Sequence, residues 1–203
     1  MTIKITPEKK STLTDTSHFD NCLDNFFKCF INTINADTGH LPISKHEPDW
    51  PSPCQQGDAF LSEEMLDSIH WQPVLREKNN DLSGLEKALD TKLHPDIVLF
   101  FTRYWSDQID AIFQQGNLTL LFVWNKADMD RLIENQIGHA LNKLRNKQTL
   151  TFFIACTDSD YIISVENDSG KVVLERPGYA IEKELSPNFS QFINELEYGQ
   201  LSL

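Results

Sequence analysis

Residues 124–141, WNKADMDRLIENQIGHAL, combine side chains that could perform acid–base chemistry. Asp128, Glu134 and His139 supply the carboxylates and the imidazole that general acid–base catalysis uses. The hydrophobic residues around them recur at helical spacing, which predicts a helix over about residues 126–145. Asp128 and His139 would then lie about 16 Å apart along the helix axis, and Glu134 would lie on a different face from His139. The segment therefore predicts no acid–base pair of its own.

The same helix is predicted to pack one face on a sheet, because its apolar residues form a continuous stripe. Its polar stripe, on the other side, would include His139, which we interpret as a structural or interface residue. The expected packed face is Met129, Leu132, Ile133, Gln136, Ile137, Ala140, Leu141 and Leu144, and the expected polar stripe is Asp128, Asn135, His139 and Asn142.

Gly138 is unusual in the middle of this helix, because glycine there is about 1 kcal/mol less favourable than alanine. The residue therefore predicts the close approach of another backbone. That backbone could belong to this chain or to a partner.

Motifs that would indicate an enzyme are absent from the sequence. There is no G-x-S-x-G nucleophile elbow, no P-loop and no G-x-G-x-x-G. The six histidines form neither H-E-x-x-H nor a Cys/His zinc spacing. We expect a protein that is not an enzyme and that uses no metal or cofactor.

The cysteines and the N-terminal residues indicate a reduced, cytosolic chain. Cys22, Cys29, Cys54 and Cys156 form no C-x-x-C and are expected to be free thiols. Residues 1–16 lack the apolar stretch of a signal peptide and are predicted to be a flexible tail. The strongest apolar run, LTLLFVW, is far shorter than the ~20 residues that span a bilayer. Any contact with a membrane should therefore be indirect.

The remaining pattern predicts one α+β domain over residues 17–203, with a central, mostly antiparallel sheet and helices packed on it. A helix is expected from Ser17 to just before Gly39, followed by a proline-rich loop over 39–57. Further expected elements are a strand at 69–74, a helix over 85–90 capped by Ser83, a helix or buried strand after Pro95, two strands around a turn at Gly116-Asn117, strands at 149–157, 160–166 and 171–175, and a final helix that Ser186 caps and Pro187 starts.

The charge of the chain favours a basic partner and argues against nucleic acid. Thirty acidic residues oppose 18 basic ones, a formal net charge of −12, whereas binding to phosphates requires lysine and arginine. The acids concentrate in residues 54–70 and 156–170. If these segments converge they would form one acidic concavity; ordinary solvated surface explains each segment equally well. The candidate binding acids are Asp58, Glu63, Glu64, Asp67, Asp158 and Asp160.

Several short segments together resemble the Syd family, the SecY-interacting proteins of Gram-negative bacteria. They appear in order and in register over about residues 20–198, and ENQIGH (134–139) is the most distinctive. The others are WPSPC (50–54), WQP (71–73), LEKAL (85–89), LTLLFVW (118–124), FIA (153–155), ISVEN (163–167) and SG (169–170).

This resemblance implies a fold similar to the SUKH superfamily and a function in binding rather than catalysis. It implies a cytoplasmic protein that associates peripherally with the cytoplasmic side of the inner membrane through SecY, the translocon channel. An acidic concave surface would receive the basic cytosolic loops of SecY, and the protein would sequester or proofread SecY that is uncomplexed or defective. The alternative is a SUKH-like immunity or adaptor protein that binds a soluble protein partner.

Overall fold

The computed structural model describes residues 16–62, 67–77 and 81–198. The predicted tail lies outside these ranges except for Thr16, where the first helix begins. The helices within them are α1 (Thr16–Thr38), α2 (Ser83–Leu89), α3 (Pro95–Thr102), α4 (Lys126–Arg145) and α5 (Phe189–Asn194). The strands are β1 (Ile43–Lys45), β2 (Gln55–Phe60), β3 (Ser68–Trp71), β4 (Val74–Leu75), β5 (Tyr104–Trp105), β6 (Ile109–Phe113), β7 (Gly116–Leu120), β8 (Thr151–Thr157), β9 (Ile162–Glu166), β10 (Val172–Glu175), β11 (Ile181–Ser186) and β12 (Glu197–Tyr198).

A seven-stranded sheet forms the centre of the fold, in the order β11-β10-β9-β8-β7-β6-β12. Every neighbouring pair in it is antiparallel. A small sheet of order β1-β3-β2 and the pair β4-β5 lie beside it. The predicted α+β fold with an antiparallel sheet is therefore confirmed.

The two faces of the main sheet are covered differently. On one face, alternate side chains of β6 point into an aromatic core, where Phe113 contacts Phe192 of α5 with ring centroids 4.8 Å apart. Helices α1, α3 and α5 pack together on this side, and Phe100 joins Phe122 to Phe189. On the other face α4 lies against β8, where Gln136 Nε2 donates to the carbonyl of Phe153 at 2.7 Å.

Two sequence-based predictions about loops were wrong, one because distant strands pair and the other because two glutamines adopt the positive φ that usually favours glycine. The expected loop over 39–57 contains β1 and the start of β2, both of which pair with β3. The turn of the β6–β7 hairpin is at Gln114 and Gln115, with φ of 47° and 73°, and Gly116 already belongs to the strand. Strand β11, which is rich in charged residues and forms an edge of the sheet, was not anticipated.

The expected serine caps were also wrong. Helix α2 begins at Ser83 itself, and the Glu86 carboxylate accepts from the backbone N–H of Leu93 instead of closing a capping box. At α5 the cap is Asn188, whose side chain accepts from the N–H of Gln191 at 2.8 Å. Asparagine satisfies a free helix N–H as well as serine does, so the pattern alone could not distinguish them.

None of the helices in the described part of the chain combines the length and the apolar character that a membrane span requires.

Candidate partner-binding surface

The candidate acids from the sequence fall into two separate places. Asp58 lies in β2 and Asp67 directly precedes β3, so both belong to the small sheet. Asp158 and Asp160 lie in the connection between β8 and β9, and all four carboxylates are exposed. Glu63 and Glu64 lie outside the described residues.

The two places adjoin opposite ends of the β6–β7 hairpin. The small sheet contacts the end away from the turn, where Ser44 donates to Asp107, two residues before β6. Asp158 lies at the turn end, where its carboxylate accepts from Asn117 Nδ2 at 2.8 Å. The structure therefore brings Asp158 and Asp160 together, and it sets Asp58 and Asp67 apart from them.

A further acidic region lies on the face of the main sheet next to α4. Among the described residues, the helix covers the β8–β10 part of this face and no element covers the β6–β7 part. Cross-strand partners share a face of a sheet, and the register pairs Asp110 with Thr119, Thr119 with Cys156, and Ile112 with both Asn117 and Glu197. We call these six residues the bare face: Asp110, Ile112, Asn117, Thr119, Cys156 and Glu197.

The bare face carries negative charge and no compensating positive charge from its own strands. Asp110 and Glu197 are exposed, and Thr119 Oγ1 donates to Asp110 at 2.6 Å. Asp158 borders the same region through its bond to Asn117. Strands β6, β7, β8 and β12 contain no lysine or arginine. Helix α4 lies beside this exposed part of the sheet, and a surface with one sign of charge attracts oppositely charged ions and peptides.

Asp110 and Glu197 were not among the candidate binding acids predicted from the sequence. The alternation in IDAIF (109–113), with Asp110 between buried neighbours, could have indicated that Asp110 faces outward. Glu197 had no such signal, because β12 has two residues and forms only by pairing with β6. Its position on the bare face depends on a register that the sequence does not reveal.

Helix α4 forms the wall beside the bare face, and the prediction for its packed side was partly wrong. Leu141 and Leu144 remain 38% and 46% exposed, whereas Lys143 is fully buried. The His139 side chain is only 7% exposed, although it was expected on the polar stripe. The reason is Glu175 of β10, which is fully buried. A buried carboxylate needs cationic and hydrogen-bonding partners, and α4 turns Lys143 and His139 towards it.

These residues form a buried polar cluster around Glu175. Lys143 Nζ donates to one carboxylate oxygen, and Thr151 Oγ1 donates to the other at 2.7 Å. His139 Nε2 lies 3.0 Å from Thr151 Oγ1 and 3.4 Å from the carboxylate. Burial by itself would raise the pKa of Glu175, but the hydrogen bonds from His139, Lys143 and Thr151 outweigh it and lower that pKa to about 2. Glu175 is therefore a carboxylate at neutral pH.

The cluster fixes the orientation of His139. Because the single hydroxyl proton of Thr151 goes to Glu175, Thr151 Oγ1 accepts from His139, which assigns the imidazole proton to Nε2. The nearby thiol of Cys156 is not activated, since burial raises its pKa. The arrangement fixes the packing of α4 on the sheet, as the sequence interpretation of His139 expected.

Lys143 also fixes the position of the turn that follows β10. Its Nζ donates to the carbonyl oxygen of Tyr179 at 2.9 Å. This contact places Pro177 and Gly178 opposite α4, across a cleft of about 490 Å³. We call it the Gly138 cleft. Leu121, Phe153 and Ile162 form its apolar floor, and its α4 side is lined by Asn135, Gly138, His139 and Asn142.

Three tryptophans anchor the proline-rich segment beside this surface. Trp71 and Trp124 are buried and pack edge to face, with ring centroids 6.2 Å apart. Trp124 Nε1 donates to the carbonyl of Trp50, and the guanidinium of Arg131 lies 4.2 Å from the centre of the Trp50 ring. The proline-rich segment is thereby fixed against α4.

Within residues 16–62, 67–77 and 81–198, no group of three or more His, Cys, Asp or Glu side chains is placed so that it could hold a metal ion.

Comparison with known proteins identifies the family. The family model described as Syd protein (SUKH-2) matches residues 20–198. Protein Syd of Pseudoalteromonas atlantica is 40% identical over 186 residues, covering 90% of this chain and 97% of the relative. Protein Syd of Colwellia psychrerythraea is 40% identical over 179 residues, covering 86% and 90% respectively. Protein Syd of Psychromonas ingrahamii is 39% identical over 175 residues, covering 86% and 92%. With its antiparallel α+β fold and this match over nearly its whole length, the chain belongs to the Syd family.

Proposed function

We propose that this protein binds the basic cytosolic loops of SecY, the channel subunit of the protein translocase, through the bare face and the acids that border it. By occupying those loops it would sequester or proofread SecY that is uncomplexed or defective. The observation that carries the proposal is a solvent-exposed sheet face with Asp110, Asp158 and Glu197 and without a lysine or arginine on its strands, in a chain of this family.

Charge complementarity is the physical basis of this binding. A concave surface of one sign raises the local concentration of oppositely charged segments and accelerates their association. Exposed charges are screened over roughly 10 Å at about 0.1 M salt, so such binding weakens as salt increases. The affinity should be modest, because exposed ion pairs each contribute little.

The acids proposed from the sequence have different places in this account. Asp158 borders the bare face through Asn117, and Asp160 follows two residues later in the same connection, so both would contact the same loop. Asp58 and Asp67 would form a second acidic patch on the side of the small sheet, and Glu63 and Glu64 stay candidates from the sequence alone. That second patch could hold a more distant part of the same basic segment or another SecY loop.

Binding, rather than catalysis, is the proposed activity, and no cofactor takes part in it. The protein would work in the cytoplasm and reach the cytoplasmic side of the inner membrane only through SecY. Support comes from the raised pKa of Cys156, because a protonated thiol is a weak nucleophile.

The test is a titration of the full chain with peptides from the cytosolic loops of SecY at about 50 mM and about 300 mM salt. The proposal expects binding at low salt that weakens severalfold at high salt. The control peptides have the same sequences with each lysine and arginine replaced by glutamine, and they should not bind. Absence of binding at low salt, or affinity that is insensitive to salt, would contradict the proposal.

A further inference from the structure

We propose that the Gly138 cleft is an anchor site for one apolar side chain of an extended, basic partner segment whose lysines and arginines lie along the bare face. The inference rests on the proposed function and deepens it. Charge alone would accept any basic peptide, whereas this cleft would select a segment with an apolar residue at a particular place.

The first observation concerns the surroundings of Gly138. The residue is exposed, and a Cβ atom placed on it would meet nothing within 4 Å. The described part of the chain therefore gives no packing reason for a glycine in the middle of α4, where glycine is unfavourable. The missing side chain leaves the α4 wall of the cleft open, so that the backbone of an external segment can approach the helix.

The polar groups on either side of Gly138 fit an extended peptide. Asn135 and Asn142 both line the cleft and are exposed. They are seven residues apart, which is about 10.5 Å along a helix, and three residues of an extended strand span about 10 Å. Each carboxamide can pair with a peptide N–H and C=O, so the two could hold the partner backbone on both sides of one inserted side chain. Asn142 Oδ1 already accepts from Asn146 at 2.8 Å, which orients this carboxamide.

The floor of the cleft suits an apolar side chain. Leu121, Phe153 and Ile162 are each partly buried and present carbon atoms to the cleft. The volume of about 490 Å³ accommodates an aliphatic or aromatic side chain. Removing such a side chain from water is favourable, and it requires no partner for a polar group.

The surroundings of the cleft indicate that its occupant is basic. Cys156 belongs both to the bare face and to the cleft, so the two surfaces are continuous. On the other side, Cys156, Ile162 and Pro177 are shared with a neighbouring depression that contains both Asp160 and Arg176. The acids that select a basic occupant are therefore those of the bare face, on one side of the cleft.

The experiment uses the full chain and two nine-residue peptides at about 50 mM salt. In one peptide a central leucine is flanked on each side by lysines and arginines, and in the other the leucine is replaced by serine. Binding of both is measured by fluorescence anisotropy for the unaltered protein, for Gly138→Leu, which fills the cleft, and for Ala127→Leu, which adds the same side chain at an exposed position of α4 outside it.

The expected result is roughly tenfold tighter binding of the leucine peptide to the unaltered protein and to Ala127→Leu. In Gly138→Leu that preference should disappear while the affinity for the serine peptide stays the same, which also shows that the variant is folded. Equal binding of the two peptides to the unaltered protein, or a preference for the leucine peptide that persists in Gly138→Leu, would contradict the anchor site. Neither result would contradict the proposed acidic binding surface. Binding of neither peptide would overturn both proposals.

Discussion

Glu175 illustrates how a single buried residue sets the geometry of this surface. The hydrophobic pattern of α4 does not predict that Lys143 is buried. The lysine is buried because its ammonium balances the charge of the Glu175 carboxylate. The same lysine holds the Tyr179 carbonyl and with it one side of the Gly138 cleft. The sequence could not reveal this, because Lys143 and Glu175 are 32 residues apart and meet only in the folded chain.

Glu175→Gln should therefore lower the free energy of unfolding by about 3–5 kcal/mol, since it leaves the Lys143 ammonium buried without its counter-charge. Urea unfolding followed by circular dichroism measures the change. Glu184→Gln is the matched control, because Glu184 pairs with Lys171 on an exposed part of the same sheet; it should change stability little. Equal effects of the two substitutions would contradict the structural role given to Glu175.

The Glu175 carboxylate also predicts how this contribution depends on pH. Its pKa is lowered from 4.5 to about 2 in the folded protein, so between these values the unfolded chain binds more protons. The stabilisation is complete above about pH 4.5 and is lost as the pH falls towards 2. The difference in unfolding free energy between the unaltered protein and Glu175→Gln should accordingly shrink over this range, and a difference that stays constant would refute the assignment.

At the scale of elements, local patterns predict the helices well and the small strands poorly. The limits of α4 follow from its periodicity, and α1 begins one residue before the expected Ser17. Strands β1 and β12 have three and two residues, too few for any period, and form only through pairing with β3 and β6. The bare face includes Glu197 only through the pairing of β12 with β6, which is why Asp158 could be proposed from the sequence and Glu197 could not.

Gly138 gives a prediction about helix stability that is independent of binding. Because a Cβ atom at this position would meet nothing within 4 Å, Gly138→Ala should raise the free energy of unfolding by up to about 1 kcal/mol. Thermal unfolding measures the change. Gly170→Ala is the contrasting control, since Gly170 has φ of +72° and a Cβ there would lie 2.7 Å from His94; this variant should be less stable. A loss of stability in Gly138→Ala would mean that the glycine serves internal packing.

At the scale of the whole molecule, the fold determines where on the surface the acidic residues lie. The net charge of −12 follows from the sequence and already disfavours nucleic acid as a partner. Composition does not show where on the surface the negative charge lies. In the structure, the two acidic segments found in the sequence adjoin different ends of the β6–β7 hairpin. The fold brings Asp110 and Glu197, which were not predicted from the sequence, to the bare face. It also places α4 beside them.

The most direct test of the account asks whether binding depends on this surface or only on net charge. One triple variant, Asp110→Asn, Asp158→Asn and Glu197→Gln, removes three charges from the bare face and its border. The matched variant, Asp37→Asn, Asp90→Asn and Asp168→Asn, removes three exposed charges from other parts of the chain. Their affinities for a basic cytosolic-loop peptide of SecY are compared at about 50 mM salt. The account predicts at least a tenfold loss for the first variant and less than a threefold loss for the second, and equal losses in the two would contradict it.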